Sequence, residues 1–250
     1  MDNENLKEKN FEEDIERWLL TEGGYERGFQ MTYNKDAAID LTVLRDFISE
    51  TQPKEWARYQ KIYGADDAAD QFYKVLQDDI SHYGLIYVLR NGIDDRGVKL
   101  RIAYFAPASE LNEDLMRKYR ANRLHVIRQF SYSSKHHNTI DMVLMLNGIP
   151  VVAIELKNQL TGQSVEDSKR QWMEDREPNE FLFHFNNRIL AYFGVDLYEV
   201  AMTTQLQKDK TFFIPFNQGS NGAGNIGGAG NPDVPEGEYV TGYFWKQMLQ

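Results

Sequence analysis

The chain has 250 residues, a formal net charge of −10 and no cysteine, with 42% hydrophobic and 26% charged residues. That length can bury a full core, the composition excludes wholesale disorder, and the missing cysteine excludes a disulfide framework and a thiolate zinc site. No apolar run reaches membrane-spanning length and the first residues do not resemble a secretory leader, so the chain reads as cytoplasmic with no membrane partner.

Along the chain, residues 10–20 carry Phe11, Ile15, Trp18 and Leu19 at helical spacing, closed by Gly23-Gly24. A second helix is expected after Asp40 and ends near Gln52-Pro53; a short one carries Trp56, Tyr59, Ile62 and Tyr63. Residues 68–83 read as a longer helix closed by Gly84. Residues 85–89 read as a strand, Asn91-Gly92 as a turn and residues 98–105 as a second strand. A helix is expected over 112–122, a strand over 124–132, and a helix after Ser164, whose Asp167 three residues on suggests a capping box. Residues 189–195 and 199–203 are further strands or a helix–strand pair, and 211–215 a strand.

Residues 139–157 carry the most information. Two apolar runs meet at Asn147-Gly148, a strong hairpin signal, and only Asp141, Glu155 and Lys157 interrupt them with charge. Charges in buried strands are costly unless paired or bound to a metal. Glu155 and Lys157 share a face, roughly 6.5–7 Å apart along the strand, and the hairpin folds Asp141 back beside them. Two carboxylates and an ammonium at one spot suit a divalent-metal hydrolytic site.

The net negative charge hides a basic segment. Residues 115–140 hold no Asp or Glu but carry Arg117, Lys118, Arg120, Arg123, Arg128 and Lys135 with His125, His136 and His137. Leading into Asp141, this segment is a candidate for contact with a DNA backbone; a solvated basic helix face is the plainer alternative. Paired surface histidines at a loop are likewise the plainer account of His136 and His137.

The stretch NGIPVVAIELKNQLTGQSVEDSKRQW at 147–172, with AYFAPAS at 103–109, ANRL at 121–124, MTT at 202–204 and FIPFN at 213–217, resembles the amino-terminal nuclease domain of the restriction (R) subunit of type I restriction–modification enzymes. Asp141…Glu155-Leu156-Lys157 fits the PD-(D/E)xK nuclease pattern, with Ile140 in the nominal Pro place. The bare pattern is common; the extended block with its flanks is far more specific. The resemblance implies an α/β restriction-endonuclease-like fold, a mixed sheet flanked by helices, that cuts DNA with Mg²⁺. It also implies assembly with methylation (M) and specificity (S) subunits, and a downstream motor that uses ATP. No GxxxxGK[ST] occurs here, so ATP hydrolysis falls outside these residues.

By that resemblance Asp141, Glu155 and the Leu156 backbone carbonyl are the metal ligands, and Lys157 orients the attacking water or stabilises phosphorane-like charge. Gln171 is the candidate for a Gln-x-x-x-Tyr motif, although Asp175 stands where Tyr belongs; Ser168 with Trp172 is the alternative alignment. Glu12 is the expected first-helix acid reaching the metal, in competition with Glu13 and Glu16. The expected organisation is a nuclease domain over 1–216, helical to residue 84 with its core over 85–216. A Gly/Asn-rich linker over 217–238 follows, and residues 239–250 begin a connection to a missing motor. Two rival readings are a non-cleaving docking module of the same fold and a related repair or transposition nuclease.

Overall fold

The computed structural model describes residues 3–109, 111–159, 162–219 and 230–249, with side chains from residue 10 onward. Most of the Gly/Asn tract, residues 220–229, lies outside them. Helix α1 (Asn3–Thr21) runs into a two-residue strand, β1 (Glu26–Arg27), and four helices follow: α2 (Leu41–Thr51), α3 (Pro53–Tyr63), α4 (Ala68–Tyr83) and α5 (Leu85–Asn91). Asp40 starts α2 by accepting a 3.1 Å bond from the Val43 N–H, satisfying an otherwise orphan donor of the first turn.

The expected strand at 85–89 is instead α5. Its apolar run conceals a helical spacing: Leu85, Val88 and Leu89 are buried while Ile86 and Tyr87 are exposed. Gly84 (φ 83°) and Gly92 (φ 74°) bracket the helix as caps, so Asn91-Gly92 is a helix end and not a hairpin turn. The hairpin lies one step on: β2 (Ile93–Asp95) and β3 (Val98–Leu100) pair antiparallel around Arg96 and Gly97, and the second strand stops at Leu100, well short of residue 105. This small sheet packs with α2–α5 in one apolar cluster that includes Phe47, Tyr59, Phe72, Val88 and Leu100.

The main sheet is built from β4 (Leu124–Ser131), β5 (Thr139–Leu146), β6 (Ile149–Leu156), β7 (Ala191–Val195), β8 (Val200–Thr203) and β9 (Ile214–Pro215), in the order β1-β4-β5-β6-β7-β8-β9. Pairs β1/β4 and β6/β7 are parallel and the rest antiparallel, so the sheet is mixed. Helix α6 (Glu113–Arg120) precedes β4, and α7 (Val165–Glu174) makes the crossover that the parallel β6/β7 pair requires. Ser164 and Asp167 form the capping box at the start of α7. The helix lies close on β7: a Cβ on Gly194 would fall 2.0 Å from the Ser168 hydroxyl.

Each face of the sheet is covered. Under α1, Phe11, Ile15 and Leu19 pack on Met142, Leu144, Ile154 and Leu156, joined by Phe244 and Trp245 from a π-helical turn at Phe244–Met248. Under α7, Trp172, Phe183 and Tyr192 pack on Phe130, Ile140, Val143 and Ala153. Residues 239–249 thus contribute to the core beneath α1 through Tyr243, Phe244, Trp245 and Leu249. Among the described residues no helix is long and apolar enough to cross a membrane. The mixed α/β sheet flanked by helices matches the restriction-endonuclease-like architecture expected of the sequence.

Candidate active site

The hairpin between β5 and β6 turns at Asn147 (φ 50°) and Gly148 (φ 84°), both left-handed as a two-residue primed turn demands. Asn147 is fully buried: its carbonyl oxygen accepts from Arg123 N–H at 2.7 Å and its amide donates to Ile102 O at 2.9 Å. Away from the turn the register shifts by one residue. Met145 pairs with Pro150 but Leu144 with Val152, which leaves Val151 extra. Met142 then pairs with Ile154, and the next step brings Asp141 opposite Glu155.

A second irregularity surrounds Asp141. The β4/β5 ladder pairs Arg128 with Met142 and Phe130 with Ile140 but lapses at Gln129 and Asp141. Gln129 is left-handed, with φ 48°. Strict alternation would place Ile140 and Met142 on one face, yet Ile140 belongs to the core under α7 and Met142 to the core under α1. The strands roll here, and an acidic residue occupies the roll. Asp141 Oδ2 accepts from Leu156 N–H at 2.8 Å, tying the start of one strand to the end of the other.

Glu155 is completely buried. One oxygen, Oε1, accepts from the Arg176 guanidinium; the other, Oε2, has no hydrogen-bond partner. Burial pushes the Glu155 carboxyl well above the usual carboxylate range, Asp141 beside it pushes the same way, and Arg176 opposes both without cancelling them. Arg176 is itself held by several groups, although its buried Nε has no hydrogen-bond partner. Its Nη2 also donates to Thr139 O at 2.7 Å, and the guanidinium lies 5.5 Å from the Tyr132 ring and 5.7 Å from that of Trp172.

Glu12 reaches the same neighbourhood from α1. Its Oε1 accepts from Arg128 Nε at 2.6 Å and its Oε2 from Gln129 Nε2 at 3.3 Å, while Gln129 Nε2 also lies 3.5 Å from Asp141 Oδ1. Burial raises the Glu12 carboxyl pKa, the bond from Arg128 opposes, and the Asp141 charge adds to the rise. Both its oxygens are engaged by side chains, as both oxygens of Asp141 are engaged by Leu156 N–H and Gln129 Nε2. Among the described residues no three His, Asp or Glu side chains stand together as a ready-made metal cluster. The oxygen donors gathered here are those of Asp141 and Glu12, the partnerless oxygen of Glu155 and the neighbouring backbone. Lys157 lies just past the end of β6, largely buried; no ion pair to its ammonium occurs among the described residues, and its charge is felt by Asp167 of α7.

The other expected residues scatter. Gln171 sits half-buried on α7. The alternative pair is committed to packing: Ser168 Oγ donates to Val165 O at 2.6 Å and Trp172 Nε1 to Phe193 O at 3.0 Å. The basic segment does not form one patch before the carboxylates. Arg117, Lys118 and Arg120 ride on α6, and Arg123 sits at the Asn147 end of the sheet, the opposite end from Asp141. Arg117 pairs with Asp114 at 2.7 Å, Lys118 lies over the Tyr104 ring at 5.7 Å, and Arg123 pairs with Glu50 at 2.7 Å. Arg128 is near the site but spends its guanidinium on Glu12 and Glu16. Lys135 is exposed on the loop before β5, and His136 contacts Glu180 at 2.8 Å. The physical reason is length: β4 carries the chain roughly 25 Å between the two ends of the segment.

Arg176 and Gln129 are the site neighbours that sequence reasoning missed. Arg176 carried a signal. It lies four residues past Trp172, two residues beyond the end of α7, where it continues the spacing of the buried positions Val165, Ser168 and Trp172.

Asp141 and Glu155, one from each arm of the hairpin, with Lys157 two residues on, keep the spacing of the PD-(D/E)xK pattern that the sequence resembles. The family described as the type I restriction enzyme R protein N terminus matches residues 3–211, and the chain belongs to that family. It is also similar to the type I restriction enzyme EcoprrI endonuclease subunit of Escherichia coli, 29% identical over 96 residues, which cover 37% of this chain and 30% of that protein.

Proposed function

We propose that this domain is the Mg²⁺-dependent DNA-cutting module of a type I restriction enzyme R subunit. The observation that carries the reading is the buried, partnerless Oε2 of Glu155 beside Asp141. Such an oxygen, in a site where burial and a second carboxylate both disfavour its charge, suits a cation as partner. Asp141, Glu155 and the Leu156 carbonyl would hold Mg²⁺, with water and phosphate oxygens completing the octahedral set that hard ion prefers. Mg²⁺, when bound, would polarise the scissile phosphate and lower the pKa of water.

The chain's own residues do the rest. Asp141, fixed by the Leu156 N–H, and Glu155, fixed by Arg176, hold the donors in place before substrate arrives. Lys157 positions the attacking water or stabilises negative charge that develops on phosphorus oxygens. The matched stretch spans under a third of the Escherichia coli relative, so the choice of DNA site, ATP-driven translocation and contacts with methylation and specificity subunits are proposed to lie outside these residues.

The test is cleavage of circular target-bearing DNA by the assembled enzyme with Asp141→Ala or Lys157→Ala. Each is expected to lower cutting at least about a hundredfold while translocation continues at the unmodified rate. Normal cutting by both variants would remove the assignment.

A further inference from the structure

The chain brings its own counter-charge to the carboxylates. Two carboxylates, Asp141 and Glu155, meet here with a buried guanidinium, Arg176, set against Glu155, and Lys157 follows just past the end of β6. Arg176 cannot easily leave. It is buried, bonded to Thr139 O at 2.7 Å, and enclosed by the Tyr132 and Trp172 rings, with Tyr132 Oη 3.4 Å from its Nη1. Its bond to Glu155 occupies Oε1 and leaves Oε2 as the oxygen open to a metal.

A divalent cation entering beside the buried Arg176 would add positive charge to a low-dielectric pocket that already holds a fixed cation, where such a concentration of charge is costly. A phosphodiester arriving with it would offset that charge. We propose that Arg176 couples metal binding to DNA binding: its fixed charge keeps the affinity for a lone divalent cation low, and the phosphate backbone restores it. Arg176 thereby acts as a positioning residue, holding Glu155 as a one-oxygen ligand and preventing stable metal uptake in the absence of substrate. The inference rests on the metal-site reading of Asp141 and Glu155. Because coupling is reciprocal, metal tightens DNA binding by the same factor.

The experiment titrates Mn²⁺ into the full chain, followed by electron paramagnetic resonance, with and without a short DNA duplex. Wild type is expected to bind Mn²⁺ at least about tenfold more tightly with duplex, within the usual range of coupling between sites. Arg176→Met and Arg176→Gln should bind Mn²⁺ without duplex at least about tenfold more tightly than wild type, and should lose most of the coupling. Arg176→Lys, which keeps the charge, should stay near wild type. A gain in affinity is a result that structural damage does not produce. If both neutral variants bind Mn²⁺ no better than wild type, while Asp141→Asn weakens binding, the metal site stands and the role of Arg176 falls. If Asp141→Asn changes Mn²⁺ binding in neither condition, the metal-site reading falls and takes the inference with it. Equal Mn²⁺ affinity of wild type with and without duplex overturns the coupling whatever the variants do.

Discussion

Asp141 stands across the hairpin from Glu155 because, counted from the turn, β6 carries one more residue to that point than β5 does. A hairpin closed by Asn147-Gly148 with no bulge would oppose Asp141 to Ile154, whose side chain belongs to the apolar core under α1. Val151 supplies the extra residue, beside Pro150, which has no N–H to give a ladder. The bulge therefore decides whether the second carboxylate meets the first or turns into the core, since a one-residue slip exchanges the faces of a strand.

Deleting Val151 is expected to lower cleavage at least about a hundredfold, because the two carboxylates no longer converge. Val151→Ala, which preserves the count, should cut within about twofold of wild type and cost about 1 kcal/mol of stability. The comparison is made by cleavage rate together with denaturant unfolding. Wild-type cutting by the deletion variant would show that the bulge does not set the site.

The hairpin, its turn, the helices on either side and both carboxylates were legible in the sequence, because each rests on local chemistry. Asn-Gly names its own turn, and an acid in an apolar run announces itself. The bulge was only half legible: Pro150 hints at an interrupted ladder, but only the pairing with β5 shows that Val151 is the extra residue. The helix at 85–91 was misread for a related reason, since a short apolar run fits strand and helix alike until its neighbours choose. The basic segment looked continuous because sequence proximity says nothing of the strand that carries its two ends apart.

The buried pair of Glu155 and Arg176 predicts a pattern in stability. Either Glu155→Leu or Arg176→Met alone leaves a buried charge without its partner and is expected to cost about 3–5 kcal/mol. The double variant should cost much less than the sum, with a coupling of at least about 1 kcal/mol, because the two side chains answer each other. Denaturant unfolding of the four proteins measures the cycle. Additive losses would mean that the contact in the folded chain contributes no coupling.

Gln129 combines a left-handed backbone with contacts to both acids of its neighbourhood. Its amide nitrogen reaches Glu12 and Asp141, and its oxygen accepts from the Thr139 hydroxyl at 3.0 Å. A non-glycine residue pays about 1–2 kcal/mol for that backbone region. Gln129→Gly should thus leave stability unchanged or raise it by about 0.5 kcal/mol, while cleavage falls about tenfold as Asp141 loses a tether. Thermal unfolding and cleavage rates separate the two effects. Unchanged cleavage would divorce the backbone strain from the site.

His125 gives a pH prediction away from the carboxylates. It is packed where β1 meets β4, and burial holds its imidazole pKa below the ordinary 6.5; Glu26 opposes that shift and Arg123 adds to it. Below pH 6.5 the unfolded chain takes up a proton that the folded His125 declines, so the unfolded state binds more protons than the folded one. Stability then rises with pH across the window between the lowered value and 6.5, and this contribution is full above 6.5 and lost as the pH falls through that window. His125→Gln removes the titration, so its unfolding free energy should depend less steeply on pH between about pH 7 and 5 than that of wild type. Denaturant unfolding at a series of pH values reads the slope directly. Equal slopes for the two proteins would mean that His125 is as easily protonated in the folded chain as in the unfolded one, and that its burial carries no electrostatic cost.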